Sequence, residues 1–169
     1  MLGAVVVLHG SDGTEPASIE RASDVLKTLC SHVLVFGGAE QSHPAHRPLR
    51  RDAGELAAVC AALREAGAGH VAILVADLRH PSSELLRYMA QVRGSFDAIV
   101  PECPDGCLQP LLALYHPSLL RRAEGLLAAG ERDLAPLLEM VTIRRITTDE
   151  VAKFGDPGKL LARARPGTH

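Results

Sequence analysis

Tryptophan is absent from this 169-residue chain, and only two tyrosines and three phenylalanines are present. The interior must therefore be filled mainly by Leu, Val and Ala. No apolar run exceeds the length of a strand, which argues against a membrane-spanning helix. Neither sign of charge dominates. The net charge of −2 gives no global argument for nucleic acid or an anionic membrane as partner. Asp12 and Glu15 interrupt any apolar stretch near the N-terminus, so a secretory signal is not expected and a cytoplasmic protein is the default. The absence with most bearing on function is local: no Lys or Arg stands between Met1 and Arg21.

That cation-free stretch carries a phosphate-loop frame. Ala4-Val5-Val6-Val7-Leu8 runs into His9-Gly10-Ser11-Asp12-Gly13. A buried strand, a glycine turn and a helix N-terminus together let backbone N–H groups approach phosphates. The candidate nucleotide-binding residues are therefore Leu8, His9, Gly10, Ser11 and Gly13.

Strand and helix patterns alternate along the rest of the chain. Residues 17–30 read as a helix with Ile19, Ala22, Val25, Leu26 and Leu29 on one face, and His32 to Phe36 reads as a strand ending at Gly37-Gly38. Residues 39–52 read as a long loop. Asp52 and Glu55 fit a capping box for a helix that Gly67 and Gly69 end. Val71-Ala72-Ile73-Leu74-Val75-Ala76 fits a central parallel strand covered on both faces. Ser82 or Ser83 opens the next helix, with Leu85, Leu86, Met89 and Val92 inward, and Phe96 to Val100 is a further strand. Residues 107–115 look extended. Pro117 suits a helix start, and Gly130 closes that helix. A shorter helix carries Leu134, Leu137, Leu138 and Met140. Val141 to Ile146 is a short strand, and two short helices follow. The predicted fold class is α/β, a three-layer α/β/α Rossmann-like arrangement with a mostly parallel sheet, and residues 1–169 form one domain. Its ligand crevice should lie at the carboxyl ends of the strands.

Asp77 falls on that edge. A lone carboxylate there suits either a Mg²⁺ ion bridging phosphates or a cap on the turn that follows. The basic loop of residues 42–51 places Arg47, Arg50 and Arg51 as candidates for phosphate or acceptor contacts, with solvated surface charge as the alternative. Cys30 and Cys60 read as small core residues. Cys103 and Cys107 flank the turn Pro104-Asp105-Gly106. They read as reduced thiols, with a disulfide or half a metal site as the other options.

The order of motifs resembles the molybdenum cofactor guanylyltransferase family, within the wider nucleotidyltransferase fold. Residues 4–10 resemble its opening strand and glycine turn, and Ser31 to Val35 its second strand. Gly54-Glu55-Leu56-Ala57 resembles its G-P-L-A-G helix start, and Val75-Ala76-Asp77-Leu78 its C-D-M-P metal motif. Three segments are closer still. Residues 108–115 are similar to its Q-P-L-x-A-L-Y segment, 127–132 to its A-G-E-R helix end, and 154–157 to its F-x-N-x-N-T-P terminus. The resemblance implies transfer of GMP from GTP to molybdopterin with Mg²⁺. By the same resemblance Asp77 holds the metal, Asp156 offers an oxygen to it, and Gln109 is a candidate for phosphate or acceptor contacts.

The chain also departs from the family pattern. The family loop carries a second glycine, an Arg and a Lys that are all missing here, and its connection to the first helix is longer. Asp12 and Glu15 stand where a triphosphate would sit, and like charges at close range cost on the order of a few kcal/mol. Two classes of function stay open at this point. One is a guanylyltransferase-like enzyme that takes Arg47, Arg50 or Arg51 for its phosphates. The other is a non-catalytic family member that binds a nucleotide-like ligand or a partner protein.

Overall fold

The computed structural model describes residues 1–8, 16–37, 45–50 and 53–163. Seven strands form one sheet: β1 (Leu2–Val7), β2 (His32–Gly37), β3 (His46–Arg47), β4 (Val71–Val75), β5 (Ala98–Pro101), β6 (Leu112–Tyr115) and β7 (Ile143–Ile146), in the order β3-β2-β1-β4-β6-β5-β7. The helices are α1 (Pro16–Lys27), α2 (Glu55–Ala66), α3 (Ser83–Gln91), α4 (Leu120–Ala128), α5 (Ala135–Glu139), α6 (Thr148–Ala152) and α7 (Pro157–Leu160).

The sheet is parallel except at β6, which runs antiparallel to both β4 and β5. All five residues of β4 are buried. β4 pairs in parallel with β1 on one side, Val5 opposite Leu74, and with β6 on the other, Ala72 opposite Leu114. A buried Val, Leu or Ile contributes roughly 1.5–3 kcal/mol, so the centre of the sheet is a rigid platform for whatever follows β4. Helices α1 and α2 both cover β1, β2 and β4. The β1-to-β2 and β3-to-β4 crossovers run in opposite directions along the sheet, so right-handed connections put α1 and α2 on opposite faces. Among the described residues no polar or charged residue is buried.

Two glycines are imposed by close backbone approach. Gly37 ends β2 at φ 87°, and a Cβ there would lie 2.3 Å from the Val7 carbonyl oxygen. Gly54 is the N-cap of α2, and a Cβ would lie 2.5 Å from the Arg132 carbonyl oxygen. The start of α2 thus lies against the segment after α4. The Leu56 N–H donates to the Arg132 carbonyl at 3.0 Å, and the Leu134 N–H donates to Glu55 Oε1 at 3.1 Å. This corrects the expected capping box. Glu55 reaches the distant Leu134 instead of its own helix start, and Asp52 lies outside the described residues.

Other boundaries move for local reasons. The expected loop of residues 39–52 contains the two-residue strand β3, which adds to the outer edge of β2. Strand β5 begins at Ala98, leaving Phe96 exposed, and Met140 is exposed just beyond α5. Pro117 opens a short 3-10 turn that leads into α4. All four cysteines are free thiols. Cys30 and Cys60 are buried, and burial pushes the Cys30 thiol up to about 11. The chain between Cys103 and Cys107 is a tight turn in which the Cys103 N–H donates to the Cys107 carbonyl at 2.7 Å.

Candidate active site

The carboxyl ends of β1 and β4 lie side by side. The Ala76 N–H donates to the Val6 carbonyl at 2.9 Å, and the Val75 N–H donates to the Leu111 carbonyl at 2.8 Å. Leu8 leaves this edge at β1. His9, Gly10, Ser11 and Gly13, the rest of the expected nucleotide loop, lie outside the described residues, as does Arg51. Asp77 therefore stands next to the exit of β1, beside the Leu108–Tyr115 segment. Tyr115 is buried under that segment, and its hydroxyl donates to the Pro110 carbonyl at 2.6 Å.

The Asp77 carboxylate is engaged by an arginine 86 positions away in sequence. Arg163 Nε donates to Oδ1 at 2.8 Å, and Arg163 Nη2 donates to Oδ2 at 2.9 Å. The Asp77 side chain is only 8% exposed, whereas that of Arg163 is 35% exposed. The backbone holds the arginine in place. Leu78 bridges Arg163 in antiparallel fashion, and the Arg79 N–H donates to the Ala162 carbonyl at 3.1 Å. Gln109 Nε2 donates to the Leu161 carbonyl at 3.1 Å. Residues 161–163 thus form a strap across the end of β4, pinned from both neighbouring segments. Gln109 serves that strap through its amide.

The remaining candidates are dispersed. Asp156 caps α7, its Oδ1 accepting from the Gly158 N–H at 3.2 Å. Arg47 pairs with Glu65 of α2 at 3.2 Å, at a partly exposed position, and Arg50 is exposed. An open cleft of about 690 Å³ adjoins the turn after Asp77, and Arg21, Arg79, His80, Ser82, Glu84 and Leu160 are among its lining residues. Ser82 caps α3 there, its Oγ accepting from the Leu85 N–H at 3.2 Å. Composition offered no route to Arg163, Arg79 or Arg21 as site neighbours. The elements that bring them together are far apart in sequence.

Nucleotidyltransferases generally use a divalent metal, so the donor set has to be tested against one. Mg²⁺ takes hard oxygen ligands, with one or two carboxylates as the usual protein contribution. Here both Asp77 oxygens already accept from a guanidinium, and one Asp156 oxygen caps a helix. Among the described residues no group of three His, Cys, Asp or Glu is placed to hold an ion. The described side chains as they stand do not fit a metal site.

A second arginine–carboxylate pair joins Arg144 of β7 to Glu150 of α6. Glu150 accepts from Arg144 Nη2 at 2.6 Å and Nη1 at 3.0 Å, from the Tyr88 hydroxyl at 2.6 Å and from the Thr147 N–H at 2.8 Å. Hydrogen bonds from Arg144, ahead of those from Tyr88 and Thr147, hold its carboxyl down at about 2. Thr147 and Glu150 form a reciprocal capping box for α6, which joins β7, α3 and α6.

Comparison with known proteins agrees with this geometry. The model of the MobA-like NTP transferase domain matches residues 9–146. A probable molybdenum cofactor guanylyltransferase of Chloroflexus aggregans is 35% identical over 135 residues, 75% of this chain and 64% of that protein. Its counterpart in Mycobacterium marinum is 29% identical over 97% of this chain and 86% of its own length. Among solved structures, molybdopterin-guanine dinucleotide biosynthesis protein A of Archaeoglobus fulgidus superposes with a TM-score of 0.79 at 20% identity, covering 99% of this chain and 93% of the other. The 2-C-methyl-D-erythritol 4-phosphate cytidylyltransferase of Thermus thermophilus superposes at 0.61 and 18% identity, over 98% of this chain and 93% of its own. These structural likenesses show the nucleotidyltransferase fold. With the family model spanning the opening turn, the Asp77 edge and β7, the chain belongs to the MobA-like NTP transferase domain family.

Proposed function

We propose that this protein is a molybdenum cofactor guanylyltransferase-like nucleotidyltransferase of the cytoplasm, with residues 1–169 acting as one unit. It takes GTP at the ends of β1 and β4 and a molybdopterin-type acceptor beside it. In the transfer, an acceptor phosphate oxygen attacks the α-phosphorus of GTP and pyrophosphate leaves. Such chemistry needs positioning and charge neutralisation more than a protein nucleophile. The observation that carries this reading is the family match across residues 9–146, together with the convergence of Leu8, Asp77 and the Gln109-Pro110 segment on one sheet edge. Leu8, His9, Gly10, Ser11 and Gly13 are proposed to cradle the nucleotide. Arg47, Arg50 and Arg51 stay candidates for its phosphates or for the acceptor. Mg²⁺, the ion expected from the resemblance, would have to displace Arg163 to reach Asp77.

Pyrophosphate release from GTP and molybdopterin with Mg²⁺ present is the test. Release above background supports the enzyme. A thermal shift with GTP but no release favours a second reading, in which the family member keeps the fold only for binding a nucleotide or a partner protein. The acidic pair Asp12 and Glu15 in the opening turn is the observation on that side.

A further inference from the structure

We infer that the Asp77–Arg163 pair is an anion-holding unit, in which Asp77 positions Arg163 and Arg163 binds phosphate oxygens without a divalent metal. This rests on the nucleotide-binding reading above and goes beyond it by assigning the phosphate grip to a residue outside every family motif.

The argument starts from valence. A guanidinium has five N–H donors arranged on two usable edges. Asp77 takes the side edge, Nε and Nη2, in a fork with distances of 2.8 and 2.9 Å. The end edge, formed by Nη1 and the second hydrogen of Nη2, makes no hydrogen bond among the described residues. That edge matches two oxygens of a phosphate. Burial agrees with the division of labour, because the carboxylate is closed off while the arginine keeps a third of its side chain exposed.

The Arg144–Glu150 pair shows what a purely structural fork looks like in the same molecule. Glu150 is saturated by four donors, and Arg144 Nη1 also donates to the Arg145 carbonyl at 2.7 Å. Among the described residues nothing comparable closes the outer edge of Arg163.

Placement agrees as well. The strap that carries Arg163 is fixed by the Leu78 bridge and by the Arg79 and Gln109 hydrogen bonds. The guanidinium therefore sits on rigid backbone and is preorganised for an incoming anion. It lies at the carboxyl end of the central strand, where open α/β sheets bind their ligands. Arg79, on the same turn, and Arg21 line the adjoining cleft, and neither makes a side-chain hydrogen bond or ion pair among the described residues; Glu84 is the acidic member of that lining. No Lys or Arg stands between Met1 and Arg21, so a Lys or Arg contact to phosphate has to come from elsewhere in the fold.

The test is calorimetric titration of the full chain with GTP and, separately, with inorganic pyrophosphate, in excess EDTA and again in Mg²⁺. The expected result is binding of both ligands in EDTA. Arg163→Gln should weaken this by about tenfold or more, the scale of a lost charge-assisted pair of hydrogen bonds. Arg163→Lys should fall between, because one ammonium cannot face Asp77 and the ligand with two forks. Asp77→Asn should weaken EDTA binding in the same direction as Arg163→Gln, through loss of orientation. Circular dichroism and thermal midpoints close to wild type establish that the variants are folded. Two results would overturn the inference. If GTP binds only with Mg²⁺ and Arg163→Gln tightens that binding, Arg163 merely blocks a metal site; the inference falls and the nucleotide reading stands. If neither ligand binds under either condition, both fall.

Discussion

The two arginine–carboxylate forks of this protein use the same chemistry for opposite ends. Arg144 and Glu150 are six residues apart and share their hydrogen bonds with Tyr88, Thr147 and the Arg145 carbonyl. Every strong acceptor position on Glu150 is filled, so the pair locks α6 to β7 and α3. Asp77 and Arg163 are 86 residues apart, and among the described residues neither side chain makes a further hydrogen bond. One partner is closed and the other opens to solvent at the ligand-binding edge. A saturated fork stabilises a fold, whereas a half-open fork is available to a ligand. The difference lies in how many donors and acceptors each pair leaves over.

Breaking the structural fork should have the largest effect on stability. Glu150→Ala removes the acceptor of Arg144, the Tyr88 hydroxyl and the α6 capping box together, at a cost of about 2–4 kcal/mol. Chemical denaturation measures it, and GTP affinity should stay unchanged in the folded fraction. Tyr88→Phe removes one of those bonds and should cost clearly less than Glu150→Ala. Arg163→Gln should cost about 1–2 kcal/mol, because the nearly buried Asp77 carboxylate loses its cation but can still accept from the Gln amide, while its effect on ligand binding is the large one. A stability loss for Arg163→Gln as great as that for Glu150→Ala would erase the distinction between the two forks.

Acidification sharpens the same comparison. The Glu150 carboxyl sits at about 2 in the fold against an ordinary value of 4.5. A depressed folded value stabilises above the unfolded value and is lost as pH falls through the folded one. The contribution of this fork is therefore complete above about pH 4.5 and fades towards pH 2. Thermal midpoints measured across that window should fall less steeply for Glu150→Gln than for wild type. The smallest expected effect is on thiol reactivity. Exposed Cys107 should label first, ahead of Cys103, whose thiol is raised by burial and then by neighbouring Asp105. Buried Cys30 and Cys60 should resist labelling until the protein unfolds.

Much of the frame is legible in sequence because it rests on local pattern. The run Val71 to Ala76 gives β4, and its position at the carboxyl end places Asp77 on the ligand edge. The antiparallel course of β6 is not legible, since residues 112–115 carry only a short apolar run and direction is set by tertiary pairing with β4 and β5. The capping box of α6 is written openly as Thr147-Thr148-Asp149-Glu150 and can be read locally. The expected box at Asp52 and Glu55 fails because Glu55 is drawn to the Leu134 N–H, a contact that exists only once α2 and the segment after α4 are packed. Arg163 is the extreme case. A lone arginine near the C-terminus carries no periodic or motif signal, and its partner becomes evident only when the strap is laid across β4. Gln109 was legible as a member of a family-like segment, but its hold on the Leu161 carbonyl was not.

The central claim is that Arg163, positioned by Asp77, supplies the phosphate contact that the cation-free opening turn lacks. The most direct measurement is the affinity of pyrophosphate in excess EDTA for wild type and for Arg163→Gln. The account predicts binding to wild type that weakens by about tenfold or more in the variant. Equal affinity in the two proteins would contradict it.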